Sequence, residues 1–330
     1  MKAVGYTQNL PISSAEALVA GDVKKPDCGP RDVLIRVEAV GVNPIDTKQR
    51  LNADPGDFRV LGYDAAGVVE AVGEEVTRFS PGDAAMAIGT LARQGTNAEF
   101  FAIDERMAAP IAVNNFAQAA ALPLTFVTAW ESLFERLGLG EDSRGTLLMV
   151  GATGGVGVAA LQLLAAKCPQ VHVVATASDD RRAALVRELG AATVVNHRED
   201  WVSALLEEFP EGVDWVFTAH SVGQEHALAA VCKPFAHIVG IDVGPDSIAP
   251  LKAKSLTWHW ESMFTKSLFD AHLSTQGAIL DEVARLWTDG TIRPIIAEEL
   301  SPICVDTLRV GHERMEAGHE LGKIVVTGWK

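Results

Sequence analysis

Two rhythms of apolar and polar positions divide the chain. Through the first 124 residues apolar runs are short and interrupted by single charges. Val33-Leu34-Ile35-Arg36-Val37-Glu38-Ala39-Val40 reads as a half-exposed strand, Ala65-Ala66-Gly67-Val68-Val69-Glu70-Ala71-Val72-Gly73 as a strand closed by glycine, and Glu99-Phe100-Phe101-Ala102-Ile103 as another. Pro81-Gly82-Asp83 is a turn between such strands. Short strands separated by Gly/Pro turns predict a partly closed, barrel-like β domain.

After Pro123 the period lengthens. Leu124 to Leu137 reads as a helix, followed by strand 147–150, helix 155–167, strand 171–177, helix 180–189 and a short strand at 194–195. Helix 200–208, strand 213–218, helix 224–232 and strand 237–241 continue the alternation. Strands alternating with helices of about ten residues predict a doubly wound parallel sheet, because each parallel strand must be reached by a crossover long enough to be a helix. From about Lys266 the style changes again, with helices near 279–287 and 305–315, a Gly290–Pro294 turn and a last strand at 323–327.

Size and composition narrow the function. A chain of 330 residues exceeds one ordinary core and predicts two domains. The formal net charge of −15, with no Lys/Arg cluster beyond Arg181, Arg182 and Arg187, argues against a nucleic-acid partner. Cys28, Cys168, Cys232 and Cys304 stand far apart, without Cys-x-x-Cys or metal-ligand spacing, so a reduced compartment and no zinc lobe are expected. No secretory pattern follows Met1-Lys2. The 21 uncharged residues from Thr146 to Ala166 are long enough for a membrane span, but Gly151, Gly154, Gly155 and Gly157 at their centre favour a strand, a tight turn and a helix.

That turn carries the strongest chemistry. Val150-Gly151-Ala152-Thr153-Gly154-Gly155-Val156-Gly157 lies between an apolar strand and an apolar helix. A turn without side chains lets a pyrophosphate approach the backbone, and the helix N-terminus offers free N–H groups to it, so this segment is expected to hold a dinucleotide. The next strand ends Ala175-Thr176-Ala177-Ser178-Asp179-Asp180-Arg181-Arg182. Ser178, with Arg182 or Arg181, suits the 2′-phosphate of NADPH, where an NADH site places an acid. Asp179 or Asp180 either caps the following helix or faces the ribose, and the second role would reverse the preference.

The chain resembles the medium-chain dehydrogenase/reductase superfamily, and within it the zinc-free quinone oxidoreductase branch. The resemblance covers nearly the whole length and rests on Gly41-Val42-Asn43-Pro44-Ile45-Asp46, Leu61-Gly62-Tyr63-Asp64-Ala65-Ala66-Gly67-Val68-Val69, Pro81-Gly82-Asp83, Leu122-Pro123-Leu124-Thr125-Phe126-Val127-Thr128-Ala129-Trp130, the glycine turn, and Gly322-Lys323-Ile324-Val325-Val326. The segment from Leu251 to Glu261, with Trp258-His259-Trp260, is similar to a subgroup called zinc-type alcohol dehydrogenase-like. The resemblance implies a GroES-like, mainly β substrate domain made of residues 1–124 and 266–330, a Rossmann dinucleotide domain of residues 125–265, an active site in the cleft between them, and a homodimer through Rossmann edge strands. With the reduced compartment expected from the cysteines, the chain is expected to be a cytoplasmic enzyme acting on a small molecule.

Zinc-dependent members of the superfamily place a cysteine where Asn43 stands, a histidine at Tyr63, a third cysteine near Leu124 and a four-cysteine lobe within about residues 86–105; this chain has cysteine at none of them. The expected chemistry is therefore NADPH-dependent hydride transfer to quinones or α,β-unsaturated carbonyls, whose conjugation spreads the incoming charge. Asn43 would orient the substrate carbonyl or the cofactor, Asp46 would fix that loop, Tyr63 would donate a hydrogen bond or proton, and Thr128 would touch the nicotinamide. Asn43-Pro44 is also good turn chemistry, and Tyr63 suits a buried aromatic. Lys48 and His259 are further candidate donors. His197 covers the adenosine end, pairs with the 2′-phosphate, or is solvated. The tryptophans beside His259 form either an apolar wall for a flat acceptor or part of a dimer interface. Aldehyde or ketone reduction and alcohol oxidation on the same fold, and a non-catalytic NADPH-binding sensor, are the competing readings.

Overall fold

The computed structural model describes residues 1–112, 115–318 and 320–329. It separates into two compact units, Met1–Val127 with Phe264–Lys330, and Thr128–Met263. The first unit opens with β1 (Lys2–Tyr6), β2 (Val19–Asp22), β3 (Asp32–Val42), α1 (Pro44–Asn52) and β4 (Arg59–Val60). It continues through β5 (Asp64–Val72), β6 (Ala84–Ile88), β7 (Phe100–Asp104), β8 (Ala108–Pro110), α2 (Phe116–Ala120) and the start of α3 (Pro123–Trp130), whose last residues from Thr128 belong to the second unit. The second unit holds β9 (Gly145–Val150), α4 (Gly155–Lys167), β10 (Val171–Ala177), α5 (Asp180–Glu188), β11 (Thr193–Asn196) and α6 (Trp201–Glu208). Its last elements are β12 (Val213–Thr218), α7 (Glu225–Val231), β13 (Cys232–Gly240) and β14 (Thr257–Trp260). The chain then returns to the first unit with α8 (Phe264–Leu268), α9 (Leu273–Thr288), β15 (Ile296–Leu300), α10 (Val305–Ala317) and β16 (Lys323–Thr327).

The first unit is built around β3. Its N-terminal half pairs with β7, its C-terminal half with β16, and its other edge with β5, all antiparallel. With both edges used and both faces covered, the segment expected to be half-exposed is buried except for Arg36 and half-buried Glu38, which pair with each other. β1, β2 and β4 form a separate three-stranded sheet.

The second unit is a six-stranded sheet in the order β11-β10-β9-β12-β13-β14, every pair parallel. Numbered from β9 this is 3-2-1-4-5-6, the Rossmann order, and the reversal of winding falls between β9 and β12. Val174, Leu148, Val216, Ile238 and Trp258 form one row across five strands. Leu205, Leu228 and Val231 cover that row. The apolar stretch from Thr146 to Ala166 resolves into β9, the glycine turn and α4, and no helix among the described residues is long and apolar enough to cross a membrane. The helix expected over 124–137 is α-helical only to Trp130; Glu131–Arg136 winds as a π-helix, with the Leu137 N–H donating to the Ser132 carbonyl.

Candidate functional sites in the two units

The Asn43-Pro44 pair starts a helix. Asn43 is extended at the N-cap of α1 and Pro44 takes the first turn, where its missing N–H costs nothing. Asp46 reaches back to accept from the Asn43 N–H at 2.8 Å, and its other oxygen accepts from the Gly62 N–H at 2.9 Å. Those two bonds tie the start of α1 to the loop carrying Tyr63. Burial pushes the Asp46 carboxyl up to about 7, against the Asn43 N–H and the charge of Lys323, which favour ionisation.

The Asn43 amide is committed to a buried ionic network. Its Nδ2 donates to Asp64 Oδ2 at 2.8 Å, and its Oδ1 accepts from Lys323 Nζ at 2.5 Å. Lys323 also lies 2.8 Å from Asp64 Oδ2, with 4 % of its side chain exposed and none of Asp64's. The second Asp64 oxygen accepts from the Leu124 N–H at 2.7 Å, which anchors the first turn of α3. Tyr63 is buried with its ring edge-on to Phe264 at 5.4 Å. Burial, then the charge of Asp46, holds its phenol well above the usual value, against the neighbouring Arg59. The first unit thus brings Asn43, Asp46 and Tyr63 together. Asp64 and Lys323, which the sequence did not single out as site residues, organise them. A lysine opening the apolar run Lys323-Ile324-Val325-Val326 was the available signal, since a buried ammonium demands a partner.

A zinc ion does not suit this set. Asn43, Tyr63 and Leu124 offer an amide, a phenol and an alkyl chain, both Asp64 oxygens are engaged, and an ammonium lies among them. Among the described residues no three His, Cys, Asp or Glu side chains gather as metal ligands.

In the second unit the glycine turn lies at the sheet's switch point. Gly151 has φ +83°, and a Cβ there would meet the Ala219 Cβ at 2.9 Å. A Cβ on Gly157 would lie 2.4 Å from the Gly151 carbonyl oxygen, so α4 can pack this close only with glycine. Gly154 is different: its Cβ would meet only the Gly151 oxygen, at 3.6 Å, and it caps α4 without a side chain. The first intrahelical bond is Val158 N–H to Gly154 carbonyl, which leaves the preceding N–H groups of α4 to face an anion. Ala152, Thr153, Gly155 and Val156 complete the turn. These residues fit the pyrophosphate of a dinucleotide.

At the end of β10, Asp179 resolves one of the two roles left open by the sequence. It caps α5, accepting from the Arg182 N–H at 2.9 Å. Its second oxygen accepts from Ser178 Oγ at 3.0 Å and from Arg182 Nη1 at 2.5 Å. His197, exposed after β11, has its pKa lowered by desolvation and then by Arg198, His220 and Arg182. Basic groups therefore converge at this end of the sheet.

The remaining candidates scatter. Thr128 lies on the last turn of α3, and Lys48 is exposed on α1. Trp258-His259-Trp260 lies in β14, the end strand of the parallel sheet. His259 Nε2 lies 3.1 Å from His237 Nδ1 with the rings 15° apart, and burial, His237 and Arg136 lower its pKa. Just beyond β14, Glu261 is buried with Glu131 of the π-helix, and Arg136 lies 2.8 Å away.

Comparison with known proteins bears on both units. Residues 29–113 match the alcohol dehydrogenase GroES-like domain, and residues 189–326 match the zinc-binding dehydrogenase family. A zinc-type alcohol dehydrogenase-like protein of Staphylococcus aureus is 30 % identical over 99 % of both chains. A 2-methylene-furan-3-one reductase of Solanum lycopersicum is 29 % identical over 99 % of this chain and 79 % of its own. The structure of a quinone oxidoreductase from Coxiella burnetii superposes with a TM-score of 0.83 at 25 % identity, covering 100 % of this chain and 99 % of its own.

Proposed function

We propose, from the premise that this chain belongs to the medium-chain dehydrogenase/reductase superfamily of oxidoreductases, that it is a zinc-independent, NADPH-dependent reductase of quinones or α,β-unsaturated carbonyls. The observation that carries this reading is the Lys323 ammonium, 2.8 Å from Asp64 and 2.5 Å from the Asn43 oxygen. A positive charge already balances the buried carboxylate at the positions where zinc-dependent relatives gather their ligands. Without a Lewis acid, an acceptor that delocalises its own developing charge is the easier substrate. The names of two relatives point the same way, one an enone reductase and one a quinone oxidoreductase.

When bound, the dinucleotide supplies the hydride. The glycine turn and the N-terminus of α4 would hold its pyrophosphate, and Ser178, Arg182 and His197 its adenosine end. Thr128 would contact the nicotinamide. Asn43 and Asp46 act as positioning residues: the amide is locked by Asp64 and Lys323, and Asp46 fixes the loop that presents Tyr63. The high pKa of Tyr63 keeps its phenol protonated across the physiological range, as a hydrogen-bond donor must be. A homodimer through β14, where Trp260 is 57 % exposed, and a cytoplasmic setting in keeping with four free thiols belong to the same proposal.

The test is NADPH and NADH oxidation by chelator-treated, metal-analysed protein against quinones, enones, aldehydes and ketones. Turnover of quinones or enones at substoichiometric zinc is the expected result. Activity that appears only on zinc addition overturns the metal-free reading. Turnover confined to aldehydes or ketones overturns the acceptor class, and tight binding with no turnover points to a sensor.

A further inference from the structure

The end of β10 holds a specific arrangement of side chains for the choice between NADPH and NADH. A 2′-phosphate carries up to two negative charges and only acceptor oxygens, so it needs donors and cations. A ribose 2′-hydroxyl needs an acceptor, ordinarily a carboxylate. Here the hydroxyl and the guanidinium suited to the phosphate, Ser178 and Arg182, both donate to one carboxylate oxygen of Asp179, at 3.0 and 2.5 Å. The other Asp179 oxygen is held at 2.9 Å by the Arg182 backbone N–H as the cap of α5. The carboxylate therefore cannot turn away to free its partners without uncapping the helix. These three bonds hold Asp179 down to about 2, so the charge is present throughout the physiological range.

Resting on the reading of this unit as a dinucleotide site, we infer that Asp179 is the specificity-determining residue, a fixed negative charge that restrains 2′-phosphate binding and keeps the site open to NADH. A 2′-phosphate must draw the one Ser178 hydroxyl donor away from Asp179 and share the Arg182 guanidinium with it, and it then lies beside a less neutralised carboxylate. A 2′-hydroxyl leaves the triad intact and can donate to it. Arg198 supplies the opposing positive charge beside His197, with Asp180 and Arg181 as the adjoining charges on α5.

Asp179→Asn separates charge from structure, because asparagine caps helices as well as aspartate does. Dissociation constants for NADPH and NADH are measured by nicotinamide fluorescence and calorimetry, without any acceptor substrate. Asp179→Asn is expected to shift the NADPH/NADH affinity ratio about tenfold toward NADPH with an unchanged melting temperature. Asp180→Asn, an equal charge change one residue on, should move the ratio much less, and Arg182→Ala should move it toward NADH. A ratio within about twofold of wild type in a folded Asp179→Asn protein overturns the inference. An equal shift from Asp180→Asn also overturns it, since charge at large would then suffice. Failure of wild type and variants to bind either dinucleotide overturns the dinucleotide reading itself, a result distinct from binding with an unchanged ratio.

Discussion

Lys323 on β16 and Asp64 on β5 form a buried ion pair at 2.8 Å although 259 residues separate them in sequence. The pair closes the first unit around Asn43, joining its C-terminal strand to the strand that follows Tyr63. A buried charge left alone is far costlier than the pair is valuable. Lys323→Met strands the Asp64 carboxylate with only neutral donors and should destabilise the protein by about 3–5 kcal/mol. The double variant Asp64→Asn/Lys323→Met should recover much of that loss. Urea unfolding of the two variants checks this, and a double variant no more stable than the single would show that packing, not charge, dominates.

The glycine turn predicts two different failures from two neighbouring glycines. Gly154 has φ −73° and ψ 169°, ordinary values for any residue, and its Cβ would make only an ordinary van der Waals contact, 3.6 Å from the Gly151 oxygen. Gly154→Val should therefore fold with a near-normal melting temperature while weakening NADPH about tenfold or more, since the side chain stands where the pyrophosphate meets α4. Gly157→Val drives a Cβ to 2.4 Å from the Gly151 oxygen and should lower the melting temperature by several degrees. Calorimetry with and without NADPH separates the two outcomes.

The parallel sheet was legible because its strands and helices change period at regular intervals, and every element expected from 147 to 241 is present within a few residues. Periodicity cannot report what depends on distant partners. The run 33–40 reads as half-exposed but is buried, because three strands and their covering layers converge on it. Asn43-Pro44 suits a turn and a helix start equally, and only the Asp46 bond decides between them. The π-helix at Glu131–Arg136 has no signature in apolar spacing. At the dinucleotide end, the sequence placed Ser178, Asp179 and Arg182 side by side, but their mutual bonds depend on rotamers that spacing leaves free.

His312 should make the protein acid-sensitive. It is fully buried on α10, and neither ring nitrogen has a hydrogen-bond partner. Burial, then Arg50 and Arg309, pushes it down to about 3. The unfolded chain takes a proton near the ordinary histidine value of about 6.5, which the folded chain refuses. The contribution of this group is thus fully present above that value and is lost as the pH falls toward 3. Between pH 6 and 4 the loss approaches about 1.4 kcal/mol per pH unit. His312→Leu should flatten this slope in unfolding curves taken across that interval; parallel profiles for variant and wild type would remove His312 as the cause.

Glu261 should act on the alkaline side with the opposite sign. Its carboxyl is buried against Glu131, and the Arg136 guanidinium at 2.8 Å offers one positive charge to two acids. Burial first, then the bond to Glu131 and its charge, raises the Glu261 pKa far above the usual carboxylate value, and Arg136 only partly offsets them. The folded protein therefore keeps a proton that the unfolded chain releases near the ordinary glutamate value of about 4.3. The sign follows from linkage: this contribution is complete below that value and declines as the pH rises through the elevated one. Glu261→Gln supplies a permanently neutral side chain of the same shape, so its stability should fall less than wild type between neutral and mildly alkaline pH. Denaturant unfolding at the two pH values reads the difference directly. An equal decline in both proteins would mean that Glu261 ionises in the folded protein without cost.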